Sequence, residues 1–196
     1  MAKRAFDLLV AGCALALLSP LMLAIALWVR LGSPGPVLFR QQRVGRHGVP
    51  FRIRKFRTMV QGAAGLPLAV GADPRITRAG AFLRRHRLDE LPQLIDVLQG
   101  TMSLVGPRPE VPRYVALYPS ALRERALAVR PGLTDPASLS HLDEAARLAA
   151  AADPEREYVE HILPAKLQQA VAYAERATLA TDIAVLARTA LRLLRG

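Results

Sequence analysis

A run of 22 consecutive uncharged residues, from Leu8 to Val29, constrains this chain more than any other feature of its sequence. As a straight α-helix the run would extend about 33 Å, at about 1.5 Å per residue, which is enough to cross the hydrocarbon core of a bilayer. It is too long for a secretory signal, and no small-residue cleavage site follows it. The sequence therefore predicts one membrane helix near the N-terminus.

Two features of the run argue against a simple transmembrane helix. Ser19 and Pro20 lie in its middle, and a kink is expected there because proline removes a helical hydrogen bond. Both flanks are basic, with Lys3 and Arg4 before the run and Arg30 after it, and the positive-inside rule then places both ends in the cytoplasm. These residues leave two topologies open: a helix that spans the membrane, and a bent, re-entrant helix that enters one leaflet and returns.

The positive charge of the chain is concentrated near this segment. The 196 residues carry a formal net charge of +11, and residues 1–60 hold ten Lys or Arg against one acid, whereas residues 131–196 hold seven against nine. A basic surface beside a membrane helix suits anionic lipids and anionic soluble substrates. The single cysteine, Cys13, excludes an internal disulfide. The length is that of one domain, predicted to span residues 1–196, with 1–32 as the membrane segment and 33–196 as the catalytic part.

Downstream of the membrane segment the sequence predicts a small β-hairpin and then helices, which is a mostly helical α+β fold. Strands are expected at Val37–Arg40 and Phe51–Phe56, joined through GRHG, and residues 65–80 are expected to be loop. The segment SLVGPRPEVP is also expected to be loop. Helices are expected at residues 81–87, Leu91–Leu98, Tyr114–Val129, Leu142–Ala152, Pro164–Arg176 and Asp182–Leu194.

Two adjacent carboxylates, Asp89 and Glu90, follow a basic cluster at the start of one predicted helix. One interpretation is structural: Asp89 is an N-cap and Glu90 is a first-turn acid, both of which are common at helix starts. The other interpretation is chemical. The helix N-terminus and nearby arginines such as Arg84 and Arg108 could hold a diphosphate, while the carboxylates could bind Mg²⁺ or one of them could attack phosphorus. The local pattern leaves both interpretations open.

Several other chemistries have no basis in the sequence. It contains neither a Walker-type phosphate loop nor a Gly-x-Gly-x-x-Gly motif, and its four histidines lack the spacing of metal ligands. Few aromatic residues are available for base stacking, so no nucleic acid is expected as a partner.

The order of motifs along the chain resembles the bacterial sugar transferases, that is, the monotopic phosphoglycosyl transferases. The resemblance is carried by FRIRKFRTM, RLDELPQLIDVLQGTMSLVGPRPE, YVALYP, RPGLT and HILPAKL, in that order. It corresponds to the minimal catalytic unit of the family, without the additional transmembrane helices of larger members. The segment TDPASL at residues 134–139 departs from the commoner family pattern, which bears on the contacts to the sugar.

The resemblance implies an enzyme that moves a sugar-1-phosphate from a UDP-sugar to a polyprenol (undecaprenyl) phosphate and releases UMP. By the same resemblance, Asp89 is the nucleophile that forms a covalent phosphosugar intermediate, and Glu90, together with Asp89, is associated with Mg²⁺. Lys55, Arg84 and Arg108 fall on family positions that hold phosphate. Such an enzyme acts in glycoconjugate or exopolysaccharide synthesis; the resemblance specifies neither the sugar nor the oligomeric state.

The resemblance also bears on the membrane. Ser19 and Pro20 correspond to the re-entrant break of the family, which favours the bent helix on the cytoplasmic face of the inner membrane. The C-terminal helix has apolar residues on one side and arginines among them, so it could lie on the interface or pack into the core. The alternative function is a non-enzymatic one, a membrane-anchored basic scaffold or anionic-lipid-binding module, but it leaves the acidic pair, PRP and KFRTM unexplained.

A bent membrane helix predicts that both termini face the cytoplasm. Tags at Met1 and Gly196 should both be inaccessible to an impermeant reagent in intact cells. Replacing Ser19 and Pro20 by alanine and leucine should straighten the helix and favour spanning, because it restores the helical hydrogen bond and removes the ring that causes the kink. An N-terminal tag that is labelled on intact wild-type cells would contradict the re-entrant topology.

Overall fold

In the computed structural model of the chain, residues 2–62, 73–135 and 144–195 are described. The helices of these ranges are α1 (Ala2–Gly32), α2 (Arg78–Arg85), α3 (Gln93–Gln99), α4 (Pro112–Val115), α5 (Ser120–Ala126), α6 (Glu144–Ala150), α7 (Pro154–Glu157), α8 (Leu163–Arg176) and α9 (Leu179–Arg195). The strands are β1 (Leu38–Val44), β2 (Pro50–Phe56), β3 (Ser103–Val105) and β4 (Gly132–Thr134). The predicted class, mostly helical with a small sheet and an apolar N-terminal helix, is confirmed.

Helix α1 runs without interruption through Pro20, and its length and hydropathy would allow it to cross a membrane. Pro20 has no N–H to donate to the carbonyl of Ala16, four residues earlier. The hydroxyl of Ser19 donates to that carbonyl oxygen instead, over 2.8 Å. Ser19 thus supplies a hydrogen bond where Pro20 removes one, and the re-entrant break at this pair stays a prediction.

One face of α1 packs on the rest of the chain along most of its length. The buried residues Asp7, Ala11, Ile25 and Val29 recur at the spacing of a single helix face. The first half of this face belongs to a hydrophobic cluster with β2 and α3, and the second half to a cluster with β2 and α2. The opposite face is exposed and apolar, at Leu9, Leu17, Leu23, Leu27 and Leu31.

Polar contacts fasten the first turns of α1 to three other elements. Arg4 donates to two carbonyl oxygens at the C-terminal end of α3, over 2.7 and 3.0 Å. The buried Asp7 carboxylate accepts the Ser103 hydroxyl of β3 at 2.9 Å and the next backbone amide at 3.2 Å. Lys3 forms an ion pair with Asp182 of α9. Helix α1 therefore starts on the rest of the chain rather than apart from it.

The predicted hairpin is confirmed, and its first strand is longer than expected. Strands β1 and β2 pair antiparallel in a register that runs from Leu38–Phe56 to Val44–Pro50. The hairpin is held against α3 by Asp96, whose carboxylate accepts the backbone amide of Arg54 at 3.0 Å and also pairs with the Arg54 guanidinium. Lys55, the residue after Arg54, is therefore held at a defined place beside α3.

Several of the secondary-structure expectations are wrong. Residues 78–80, expected to be loop, form the first turn of α2. The predicted helix Tyr114–Val129 is two short helices, α4 and α5, because Pro119 interrupts the helical pattern between them. The segment expected to be loop contains β3, which pairs parallel with β4. Glycine permits this pairing, since a Cβ on Gly132 would lie 2.1 Å from the backbone nitrogen of Gly106. Part of the loop expected at 65–80, the beginning of the helix expected at Leu142, and most of TDPASL lie outside the described residues.

A pair of helical glycines allows a matched test of packing. Alanine at Gly80 in α2 would place its Cβ 2.0 Å from the backbone oxygen of Thr58, whereas alanine at Gly12 in α1 meets nothing within 4 Å. We expect Gly80→Ala to lower the free energy of unfolding by about 1–3 kcal/mol, and Gly12→Ala to leave it unchanged or raise it by up to about 1 kcal/mol. Thermal unfolding in detergent micelles measures both. Equal midpoints for the two variants would contradict the close contact of α2 with Thr58.

Candidate functional site

The acidic pair lies in a short 3₁₀ turn, Leu88–Glu90, immediately before α3. Arg87, the residue before the turn, adopts a left-handed conformation with φ of 57°, and α3 follows with Pro92 at its N-cap and no capping side chain. The N-cap interpretation of Asp89 is therefore wrong, because its side chain bonds to no backbone amide of α3. Gly100 ends α3 in the left-handed conformation, as its position in the sequence predicts.

Glu90 is held by two cations from different parts of the chain. Lys55 of β2 donates to Oε1 over 2.5 Å, and Arg108, which follows β3, donates to the same oxygen over 2.6 Å. Burial by itself would raise the pKa of Glu90, but Arg108 and Lys55 hold it well below its usual range. Glu90 is therefore ionised, and its charge is matched by these two side chains.

Asp89 has a different environment from its neighbour. Its side chain is buried, and no hydrogen bond from the described residues reaches its carboxylate. Burial raises the pKa of Asp89, as does the charge of Glu90, while Lys55, Arg84 and Arg108 act in the opposite direction. The result is a carboxylate that is near three cations but bonded to none of them, which leaves its oxygens available to a ligand.

Arg84 reaches the site from α2. Its Nε donates to the hydroxyl of Thr58 over 3.1 Å, and its charge acts on Asp89. The structure therefore brings together the predicted site residues from three elements, β2, α2 and the turn before α3, and from the loop after β3. Ser19 and Pro20 lie in α1 and have no side-chain bond to this group. The residues brought together are Lys55, Arg84, Asp89, Glu90 and Arg108.

A second group of buried polar side chains lies behind Arg108 and was missed by sequence reasoning. Glu110, two residues after Arg108, accepts the hydroxyl of Tyr158 over 2.5 Å, and Arg43 of β1 lies 3.7 Å from its other oxygen. Glu90 raises the pKa of Arg108 most, and Glu110 adds to that effect. The position of Glu110 directly after PRP was a usable signal, whereas nothing in the sequence indicates that Tyr158 would reach it.

The described residues contain no cluster of three or more His, Cys, Asp or Glu that could hold a metal ion by itself. Mg²⁺ does not need such a cluster, because it is commonly bound by one or two carboxylates and by substrate phosphate oxygens. Asp89 fits this mode, since its carboxylate is unbonded and its pKa is raised by burial, a cost that a cation would offset. Asp89 therefore fits magnesium in the presence of a phosphate ligand, whereas Glu90, the second predicted ligand, would have to share its carboxylate with Lys55 and Arg108.

Comparison with known proteins gives one family and several relatives. A family model described as bacterial sugar transferase matches residues 1–196. The chain is 44% identical over 81% of its length to the UDP-N-acetylgalactosamine-undecaprenyl-phosphate N-acetylgalactosaminephosphotransferase of Aeromonas hydrophila, of which the match covers 37%. It is 46% identical over 67% of its length to the UDP-glucose:undecaprenyl-phosphate glucose-1-phosphate transferase of Escherichia coli (strain K12), of which the match covers 29%.

A third relative is closer in length. The exopolysaccharide production protein PSS of Rhizobium leguminosarum bv. phaseoli is 45% identical over 71% of the chain, and the match covers 74% of that protein. The chain thus spans well under half of the length of the first two relatives and most of the length of the third.

The two carboxylates should have opposite effects on stability. Since the pKa of Asp89 is raised in the folded chain, its ionised form opposes folding at neutral pH, and Asp89→Asn should raise the free energy of unfolding by about 1 kcal/mol. Glu90→Gln should lower it by roughly 2–4 kcal/mol, because two cations lose their carboxylate while Arg108 stays partly exposed. Thermal unfolding measures both changes.

A matched control is Glu175→Gln, which removes the partner of Arg125 on the surface and should change the free energy of unfolding by less than about 1 kcal/mol. A loss of stability for Asp89→Asn as large as that for Glu90→Gln would show that Asp89 is a structural member of the ion cluster.

Proposed function

The chain belongs to the bacterial sugar transferase family, and from that premise we propose that it moves a sugar-1-phosphate from a UDP-sugar to undecaprenyl phosphate. Relatives are named for this transfer with N-acetylgalactosamine or glucose, and another is named for exopolysaccharide production. The observation that carries the proposal is the environment of Asp89, a buried carboxylate without a hydrogen bond among the described residues, in the field of three cations that act to lower its pKa. This is an arrangement suited to nucleophilic attack on a diphosphate.

In the proposed first step, an Asp89 carboxylate oxygen attacks the phosphorus atom that carries the sugar. A bond forms between that oxygen and the phosphorus, and the bond to the bridging oxygen of the diphosphate breaks. UMP leaves with the electron pair of the broken bond, and the sugar phosphate stays on Asp89 as an acyl phosphate. The two adjacent acids have different roles in this step. Asp89 is the nucleophile, because Glu90 is already paired with Lys55 and Arg108 and Asp89 is not.

In the proposed second step, a phosphate oxygen of undecaprenyl phosphate attacks the same phosphorus atom. The acyl phosphate bond breaks, the carboxylate of Asp89 is regenerated, and the product is an undecaprenyl diphosphate sugar. Each step exchanges one phosphorus–oxygen bond for another, so no oxidant or further reactant is required. The buried position of Asp89 limits the access of water, which would otherwise hydrolyse the acyl phosphate.

Three cations would bind the phosphates and stabilise the charge that develops on them. Of the two cations paired with Glu90, Arg108 is more exposed than Lys55. Part of its guanidinium can therefore turn toward a phosphate. Arg84 uses only its Nε for Thr58, so its terminal nitrogens remain for an anion. Mg²⁺ held by Asp89 and Glu90 would supply further charge neutralisation at the diphosphate.

The packing of α1 supports a monotopic location on the cytoplasmic face of the inner membrane. A helix with its ends on opposite sides of a bilayer could not rest one face on a single cytosolic body, yet one face of α1 packs on the rest of the chain near both ends, at Asp7 and Ala11 and at Ile25 and Val29. Helix α9 has Val185 buried and Ile183 and Leu191 exposed, which suits both a packed face and contact with the membrane interface. The basic scaffold, the second candidate, would not require a buried, unbonded Asp89.

The covalent step has a direct test. Wild-type protein incubated with UDP-N-acetylgalactosamine or UDP-glucose labelled in the sugar, without lipid acceptor, should retain label covalently, and undecaprenyl phosphate should release it. Asp89→Asn should retain none, because an amide is not a nucleophile for phosphorus. Asp89→Glu should react at least about 100-fold more slowly, since the attacking oxygen is displaced by about 1 Å. Chelation with EDTA should slow labelling, and added Mg²⁺ should restore it.

Asp153→Asn is the matched control, because Asp153 is an exposed N-cap of α7 and asparagine can take the same role. It should label like the wild type. Transfer by a wild type that never retains label, with both substrates needed together, would remove the nucleophile role. No transfer with any UDP-sugar would favour the scaffold.

A further inference from the structure

Arg57, directly after β2, is a buried arginine that has no carboxylate partner among the described residues. Its exposed fraction is 4%, and within residues 2–62, 73–135 and 144–195 its Nε and Nη1 atoms have no hydrogen-bond partner. A buried guanidinium is costly unless it is compensated, so its persistence here calls for a specific partner.

That partner is the C-terminal end of α1. Nη2 of Arg57 donates to the carbonyl oxygen of Val29 over 3.1 Å, to that of Ser33 over 2.7 Å, and to the Ser33 hydroxyl over 3.0 Å. The last carbonyls of a helix have no intrahelical partner and form the negative end of its dipole. The negative end of the α1 dipole therefore compensates the charge of Arg57.

We propose that Arg57 is a positioning residue that fixes the end of α1 to β2 and so sets the depth at which the lipid acceptor reaches Asp89. The inference rests on the proposed function and extends it to the second step. It assigns Arg57 no contact with either substrate.

Apolar packing alone would not fix this end of α1 in a membrane. Ile25 and Val29 of α1 pack with Phe56 and Leu83, but lipid tails are as apolar as these side chains and compete for the same surfaces. Hydrogen bonds have no such competitor in the hydrocarbon. The three bonds from Arg57 are therefore the contacts that distinguish the docked position of the helix end from a displaced one.

The cations on the donor side of the site make no hydrogen bond with Arg57, although Arg84 bonds to the hydroxyl of the next residue, Thr58. Lys55 is placed by its neighbour Arg54, whose backbone and side chain both bond to Asp96, and by Ile53, which is buried against α3. UDP-sugar is soluble, so its approach to Asp89 does not depend on the position of the protein relative to the bilayer. Loss of Arg57 should thus leave the first step unchanged.

The acceptor depends on the bilayer, because its phosphate lies at the depth of the lipid headgroups. If the end of α1 moves, the catalytic part changes its height relative to that phosphate. An error of about 1 Å in the position of a reacting group can cost about 100-fold in rate. The second step should thus be the one that is sensitive to Arg57.

The test compares Arg57→Met with Arg52→Met, which changes an exposed arginine of β2, in liposomes. Labelled protein is first formed with UDP-N-acetylgalactosamine or UDP-glucose, and its discharge is then followed with undecaprenyl phosphate or with a short, water-soluble prenyl phosphate. Arg57→Met should form labelled protein at the wild-type rate within about two-fold and discharge it about 10–100-fold more slowly with the long-chain acceptor. With the soluble acceptor it should match the wild type.

Arg57→Gln, which retains one donor for the helix end, should fold if Arg57→Met does not and should show a smaller defect of the same kind. Equal slowing of both steps, slow discharge with the soluble acceptor, or the same defect in Arg52→Met would overturn the proposal. If the wild type transfers the sugar phosphate without retaining label, only the covalent step of the proposed function is wrong. Overall turnover with long and short acceptors would then still test the role of Arg57.

Discussion

The geometry of the site depends on Glu90, which joins two cations that are far apart in the chain. Lys55 arrives on β2 and Arg108 after β3, and without the carboxylate between them they would repel each other in a partly buried place. Since Glu90 satisfies both, its neighbour Asp89 can remain unbonded. This explains why two acids stand side by side: one holds the site together, and the other is left with a raised pKa and free oxygens.

Helix α1 is held by the same combination of apolar and polar contacts. Its contacts with the rest of the chain are apolar along the middle and polar at both ends, through Arg4 and Asp7 at the start and Arg57 at the finish. Apolar contacts are weakly selective in lipid, whereas hydrogen bonds to helix ends are directional. The ends therefore determine where α1 lies, and through α3 and β2 they connect α1 to the acidic pair.

The candidate site residues were predicted from motifs and from a family resemblance, and the structure brings five of them together, but how some of them are held was misjudged from the sequence. Asp89 looks like an N-cap from its position, yet the chain turns at Arg87 and α3 begins only after Pro92. Strand β3 was missed because a three-residue strand buried on both sides has no alternating pattern. Its partner is 29 residues away, at Gly132, and such pairing has no local signal.

The sequence by itself determined the apolar helix, the hairpin and the basic N-terminal part, because each of these is encoded by residues close together in the chain. The candidate site residues are spread from Lys55 to Arg108, and motifs together with a family resemblance identified them. Only the tertiary structure decided which carboxylate is paired and which is free. It also decided that Tyr158 reaches Glu110 and that Arg57 lies on the end of α1. These outcomes depend on burial and on distances between remote side chains, which exist only once the elements have packed.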